Sequence, residues 1–116
     1  MHKKLEVWQK SMLFVTQLYQ LTKQFPDDER YGLTNQIRRA SVSIPSNIAE
    51  GSARHGNKEY IQFLYISLAS AAEVETQFLI AKNLHYVNEI DIFYNELQSI
   101  KRMLLGLIKS KQNKEN

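Results

Sequence analysis

The chain has 116 residues, of which 43% are apolar and 23% charged, a composition typical of a folded domain and not of a disordered segment. It contains no cysteine, which excludes disulfides and thiolate metal sites and favours a reducing compartment. The formal net charge of +3 permits contact with nucleic acid but is smaller than expected of a dedicated nucleic-acid binder.

The length predicts a single domain over residues 1–116. Only four glycines and two prolines are present, which favours long helices joined by short loops. The sequence has no run of 18 apolar residues, and the opening "MHKKLEVWQK" lacks the apolar stretch of a signal peptide. We therefore expect a cytoplasmic protein with no membrane partner.

The first predicted helix covers about residues 4–24, where apolar residues recur at alternating gaps of three and four. It ends at Phe25-Pro26, because the residue before a proline avoids the helical conformation. The stretch "DDERYG" then predicts a turn.

The second predicted helix covers about residues 33–54 and contains Pro45. Proline lacks an N–H group and crowds the carbonyl of Ser41, so we expect a kink at Pro45. A break into two helices at Ile44 is the alternative. The kink is favoured because the apolar spacing continues through Pro45 without a shift.

A third helix is predicted over about residues 58–84, with Asn57 as its N-cap. Its apolar residues follow two lines, a pattern typical of a helix covered on two sides, either by its own bundle or by another subunit. A fourth helix is predicted over about residues 89–112, and a polar C-terminal tail over residues 110–116. Four helices with short loops alternate in direction, so the predicted fold is an all-α, antiparallel up-down-up-down four-helix bundle.

Polar side chains form a ribbon beside the apolar face of the second helix, and the third helix has a matching one. Solvent exposure, a buried or subunit-facing hydrogen-bond network and an active site are the three interpretations. Buried groups of this kind must be paired, because an unpaired one costs about 1–3 kcal/mol. We favour a network that fixes the register between helices or subunits. Its candidate members are Gln36, Ser43, Asn47, Glu50, Glu73 and Gln77.

No motif predicts catalysis. A di-metal site in a helical bundle needs Glu-x-x-His, which the sequence lacks, as it lacks G-x-x-x-x-G-K-[ST] and G-x-S-x-G. The three histidines lie at the N-terminus or in predicted loops, and we interpret them as surface residues. We therefore expect no enzyme, with no catalytic residue, no metal and no cofactor.

Four segments, "VWQKSM", "YGLTNQIRRASVSIPSNIAEG", "EYIQFLYISLASAAEVETQ" and "HYV", resemble the 23S rRNA intervening-sequence proteins. The resemblance extends from about Leu5 to the fourth helix. It implies a four-helix bundle with a proline inside the second helix, and a homopentamer with a central channel. It implies no catalytic residue. The related accessory proteins of diversity-generating retroelements share this architecture, and their basic surface is implicated in binding nucleic acid and a reverse transcriptase.

His85 is a departure from this family, which usually has glycine after the third helix. Histidine adopts the left-handed conformation more readily than most residues, so we expect the turn to be kept.

Clustered basic residues and the resemblance together predict a non-enzymatic homo-oligomer, a pentamer, that binds structured RNA. The candidate RNA-binding residues are Arg38, Arg39, Arg54, Lys58, Lys101 and Arg102. The alternative is a protein-binding scaffold, whose oligomer presents a groove or channel to a partner protein such as a reverse transcriptase.

Overall fold

The computed structural model describes residues 2–114, which form four α-helices and, within that range, no β-strand. A short 3₁₀ turn precedes the first helix, and two more join the first helix to the second. The helices are α1 (Glu6–Leu21), α2 (Leu33–Ser52), α3 (Asn57–Asn83) and α4 (Asp91–Asn113). The predicted all-α fold with four helices is confirmed.

The helix ends differ from the predicted ones by at most three residues. α1 gives way to a 3₁₀ turn at Thr22, and Phe25 is extended before Pro26, as the sequence predicts. Asn57 is not the N-cap of α3 but its first residue, and its side-chain amide donates to the carbonyl of Lys111 (3.4 Å). α4 continues into the predicted polar tail as far as Asn113, and residues 115–116 of that tail lie outside the described residues.

Each helix packs against two others, α2 against α1 and α3, and α4 against α3 and α1. Aromatic side chains meet at the centre, where the rings of Phe14 and Phe78 are edge to face with centroids 6.3 Å apart and Phe93 lies 6.1 Å from Phe14. Such pairs add to the stabilisation from burial alone. The other large apolar side chains that are fully buried are Leu18, Ile37, Ile44, Ile48, Leu64, Val74, Leu97, Ile100 and Leu104.

α2 runs through Pro45 as one helix, so the alternative of two helices broken at Ile44 is wrong. Pro45 is buried, and beside it Ser67 Oγ of α3 donates to the carbonyl of Ile44 (2.9 Å). This bond gives the proline-containing turn a partner from outside its own helix. The kink in the axis of α2 stays a prediction.

The end of α2 lies very close to the start of α3 at Gly51. A Cβ atom at Gly51 would be 2.9 Å from Cβ of Phe63 and 3.2 Å from the carbonyl oxygen of Tyr60. Real Cβ atoms do not approach another atom so closely, and the Tyr60 carbonyl belongs to a helix backbone that cannot move aside alone. The absence of a side chain at Gly51 is therefore what allows the two helices to meet here.

His85 ends α3 in the left-handed conformation, with φ of 63°. The amide of Tyr86 donates to the carbonyl of Ala81 and the amide of His85 to that of Lys82, both at 3.0 Å. This pair of bonds is the Schellman motif that glycine usually closes. The turn is kept with histidine, as expected.

None of the helices within residues 2–114 is long and apolar enough to cross a membrane.

Gly51→Ala should lower the free energy of unfolding by about 1–3 kcal/mol, because the added methyl group overpacks the contact between α2 and α3. The matched control is Gly106→Ala. Gly106 lies inside α4 with no atom within 4 Å of an added Cβ, so this change should raise stability by about 0.5–1 kcal/mol. Urea unfolding followed by circular dichroism at one protein concentration measures both. Equal effects of the two substitutions would contradict the close approach at Gly51.

Candidate functional site

Side-chain hydroxyls connect the middle of α2 to α3. Ser70 Oγ donates to Ser43 Oγ (2.9 Å), and Asn47 Nδ2 donates to both the carbonyl and the hydroxyl oxygen of Ser43 (2.8 Å each). Together with the buried Ser67–Ile44 bond, these contacts form a small polar cluster around Pro45. Ser67 was not among the predicted members. Its place in the small-residue stretch "SLASAAE" is a signal for close packing, but the sequence gives no sign of its acceptor.

The remaining predicted members divide into separate contacts. Gln77 is buried, with 6% of its surface exposed, and its amide nitrogen donates to Glu73 Oε2 (3.4 Å). Glu50 is exposed and pairs with Arg54 one turn along the chain (3.3 Å). Within a single chain, Asn47, Glu50, Glu73 and Gln77 do not satisfy one another as one network.

An open groove of ≈ 380 Å³ separates the exposed parts of α2 and α3. Its polar lining consists of Gln36, Arg39, Ser43, Ser70 and Glu73. The two polar ribbons of the sequence therefore lie on facing walls of one groove.

The six basic residues predicted to bind RNA do not share one surface. Arg38 and Arg39 lie in the first half of α2, and Arg54 follows its end, about 20 Å further along at a rise of 1.5 Å per residue. Lys58 lies in the first turn of α3, and Lys101 and Arg102 lie in α4.

Three of these six side chains are already engaged. Arg38 is half-buried, its Nε donates to Thr22 Oγ1 (2.8 Å), and its guanidinium stacks on the ring of Tyr19 (4.7 Å to the centroid). Lys101 Nζ is bound by Glu75 (2.6 Å), and Arg54 pairs with Glu50 as described above.

The other three, Arg39, Lys58 and Arg102, are exposed. In residues 2–114 none of them has a carboxylate within 4 Å. These three are therefore the cations that an external anion reaches most easily.

Glu75 is the centre of the contact between α3 and α4. It accepts hydrogen bonds from Lys101 Nζ (2.6 Å) and from the hydroxyl of Tyr94 (3.1 Å). The bond from Lys101 is the main reason why the pKa of Glu75 lies below its ordinary value of 4.5. Lys101 thus joins two helices instead of facing solvent as a free cation.

A second carboxylate of this kind holds the start of α2. The amide of Leu33 donates to Glu29 Oε1 (3.0 Å), and the hydroxyl of Tyr86 donates to Glu29 Oε2 (2.7 Å). The amide bond first, and then the hydroxyl bond, lower the pKa of Glu29. The same hydroxyl bond raises the pKa of Tyr86.

An apolar face of α3 points to solvent along most of the helix. Its large members are Tyr65, Ile66, Leu79 and Ile80, each between 42% and 48% exposed. They recur with the three- and four-residue gaps of one side of a helix, and the exposed Ala72 lies between them. α2 and α4 cover the other side of α3. The two apolar lines of the sequence are thus one buried face and one exposed face.

The outer side of α1 and α2 forms a second apolar surface, a groove of ≈ 400 Å³. Trp8, Met12 and Val15 of α1 line it, together with Val42 and Ala49 of α2.

These features define a small four-helix protein whose helices are joined by hydroxyl and ion-pair contacts and whose α3 has an uncovered apolar face. The chain belongs to the family of the 23S rRNA-intervening sequence protein, whose model matches residues 3–106. The sequence resemblance to this family is confirmed.

A solved structure from Bacteroides thetaiotaomicron, described as a protein of unknown function from the S23 ribosomal protein family, is similar to this chain. The two are 23% identical and superpose with a TM-score of 0.83, over 94% of this chain and 99% of the other. This likeness shows a shared fold. The comparison with curated proteins found no match.

Glu75→Gln should lower the free energy of unfolding by about 1 kcal/mol at pH 7, since it removes a charge-assisted bond between α3 and α4. A carboxylate whose pKa is lowered by folding contributes stability above its unfolded-state pKa, near 4.5, and loses it as the pH falls through its folded-state pKa. The variant should therefore lose less stability than the wild type between pH 7 and pH 3. Part of the acid sensitivity remains, because Glu29 acts in the same direction.

Urea unfolding at the two pH values measures this difference, and Glu50→Gln is the control. The pair of Glu50 with Arg54 is an exposed contact within one helix turn, of a kind that contributes at most about 0.5 kcal/mol. An acid dependence of Glu75→Gln equal to that of the wild type would show that Glu75 is not the stabilising carboxylate.

Proposed function

We propose that this protein is a non-enzymatic binding protein that assembles with copies of itself, as a pentamer, and contacts structured RNA. Membership of the 23S rRNA-intervening sequence protein family is the observation that carries this proposal. The exposed cations Arg39, Lys58 and Arg102 support it, since Lys and Arg side chains without a protein partner can neutralise phosphates. The polar cluster around Pro45 serves the fold, by joining α2 to α3.

The apolar face of α3 supports self-assembly. Exposed apolar residues in a continuous line are unusual on a monomer and mark a surface that another molecule covers. A ring with an odd number of subunits needs two different surfaces on each copy, one for each neighbour. The face of α3 and the groove between α1 and α2 are two such surfaces.

Light scattering of the purified protein should give about five times the chain mass of 13.6 kDa. Ile66→Asp should reduce it to the mass of one chain, because a charge would be buried in the contact between subunits. Ile66 is 48% exposed within the chain, so the monomer tolerates the change. Leu105→Asp, at an equally exposed position (49%) on α4, is the matched control and should keep the assembly. A wild-type mass of 13.6 kDa would refute the assembly.

Arg39→Gln and Arg102→Gln should each weaken binding to a structured rRNA fragment and lower the slope of log K against log salt by about 1 for each phosphate contact removed. Arg54→Gln is the control and should change the slope little, because Glu50 already pairs with Arg54. Fluorescence anisotropy at several salt concentrations, with duplex DNA as competitor, measures the slopes. Unchanged binding in both Arg39→Gln and Arg102→Gln would exclude this RNA interface.

A protein-binding scaffold is the second candidate, and the same apolar face of α3 favours it. A partner protein would cover this face in place of, or in addition to, another copy of the chain. Pull-down from a nuclease-treated lysate distinguishes the two functions. A partner that remains bound after the RNA is removed, and that Ile66→Asp releases, supports the scaffold.

A further inference from the structure

A small polar pocket lies where the end of α1 meets the start of α2, apart from the groove between α2 and α3. Its volume is ≈ 200 Å³, several times the roughly 30 Å³ that one water takes up in the liquid. The hydrogen-bonding and cationic residues that line it are Thr22, Lys23, Arg30, Thr34, Asn35 and Arg38. Asp27 is the one acidic residue of the lining.

The hydroxyl of Thr34 is the unusual feature of this pocket. Thr34 is only 8% exposed, and its Oγ1 is buried without a hydrogen-bond partner in the described part of the chain. A buried hydroxyl without a partner costs stability, so a native structure seldom keeps one unless something outside the chain binds it.

Thr34 and Asn35 are the second and third residues of α2. Amides in the first turn of a helix have no carbonyl of the same helix to bind, and Glu29 takes only that of Leu33. In residues 2–114 the amides of Thr34 and Asn35 have no backbone acceptor. The start of α2 therefore offers amide donors and the positive end of the helix dipole beside the Thr34 hydroxyl.

The charge of the pocket is positive, with Lys23, Arg30 and Arg38 against Asp27. Within residues 2–114 none of the three cations has a carboxylate within 4 Å. The bonds of Arg38 to Thr22 Oγ1 (2.8 Å) and to the carbonyl of Tyr19 (3.3 Å) use two of its five N–H donors and fix its position.

We propose that this pocket binds one phosphate group, either of a small phosphate compound or of a nucleic-acid backbone. A fixed guanidinium, a free hydroxyl and the amides of a helix N-terminus are the donors that phosphate oxygens take in proteins. The pocket goes beyond the RNA interface proposed above, because Thr34 has no part in that interface and the pocket does not include Arg39.

The test uses Thr34→Val, which removes the hydroxyl and keeps the shape of the side chain. Inorganic phosphate should shift the amide resonances of Thr34 and Asn35 in a saturable way and raise the melting temperature. Thr34→Val should weaken this binding about tenfold, as expected for a lost hydrogen bond to a charged group. Without phosphate the variant should be at least as stable as the wild type, because it removes an unpaired polar group.

Thr16→Val is the matched control, since Thr16 is exposed and bonds only to the carbonyl of Met12 one turn before it. It should bind phosphate like the wild type. Sodium chloride at equal ionic strength should give no saturable shift. An equal response of the wild type and Thr34→Val to phosphate, or an equal response to chloride, would overturn the proposal.

Two further ligands separate the sources of the phosphate group. A short single-stranded RNA that displaces inorganic phosphate from the wild type, with a loss of affinity in Thr34→Val, identifies a nucleic-acid backbone. Binding of glycerol phosphate without displacement by RNA identifies a small phosphate compound. RNA binding that depends on Arg39 and is unchanged in Thr34→Val, with no phosphate binding, would refute the pocket and leave the RNA interface standing.

Discussion

The close contact between α2 and α3 is the constraint on which the rest of the structure depends. Gly51 lets the backbones approach at one end of this contact, and the serines around Pro45 bond across its middle. Small side chains bury little apolar surface, so here hydrogen bonds and short distances replace bulky packing. With these two helices fixed, α1 and α4 pack on either side and bring the aromatic rings of the core together.

The same contact determines which surfaces stay open. α3 is the longest helix, with 27 residues, and α2 and α4 cover only one side of it. Its other side keeps apolar residues that the chain itself does not bury. The arrangement that closes the core thus leaves a face whose chemistry suits another molecule.

The sequence predicted the number, order and approximate bounds of the helices, because regular apolar spacing gives a strong signal over long segments. It could not distinguish the roles of Arg38 and Arg39. Neighbouring residues point about 100° apart on a helix. One of the two arginines therefore bonds to α1 and the other lines the groove beside α3.

Partners distant in sequence were also beyond prediction. Lys101 bonds to Glu75, 26 residues away, and Ser67 bonds to Ile44, 23 residues away. The charge or hydroxyl of such a residue is visible in the sequence, but its acceptor depends on how the helices pack. The pocket at Thr34 had no sequence signal, since a threonine in a first helical turn is common and only burial without a partner makes it unusual.

The left-handed His85 has a consequence for the order in which the protein folds. A non-glycine residue in this conformation costs about 1–2 kcal/mol, so the turn between α3 and α4 is not favoured by its own sequence. What holds it comes from distant parts of the chain, since Tyr86 bonds to Glu29 and its ring lies 5.7 Å from that of Phe25. Such strain persists only when the surroundings enforce it. We therefore expect the connection between α1 and α2 to be in place before this turn closes, and α4 to join the other three helices late.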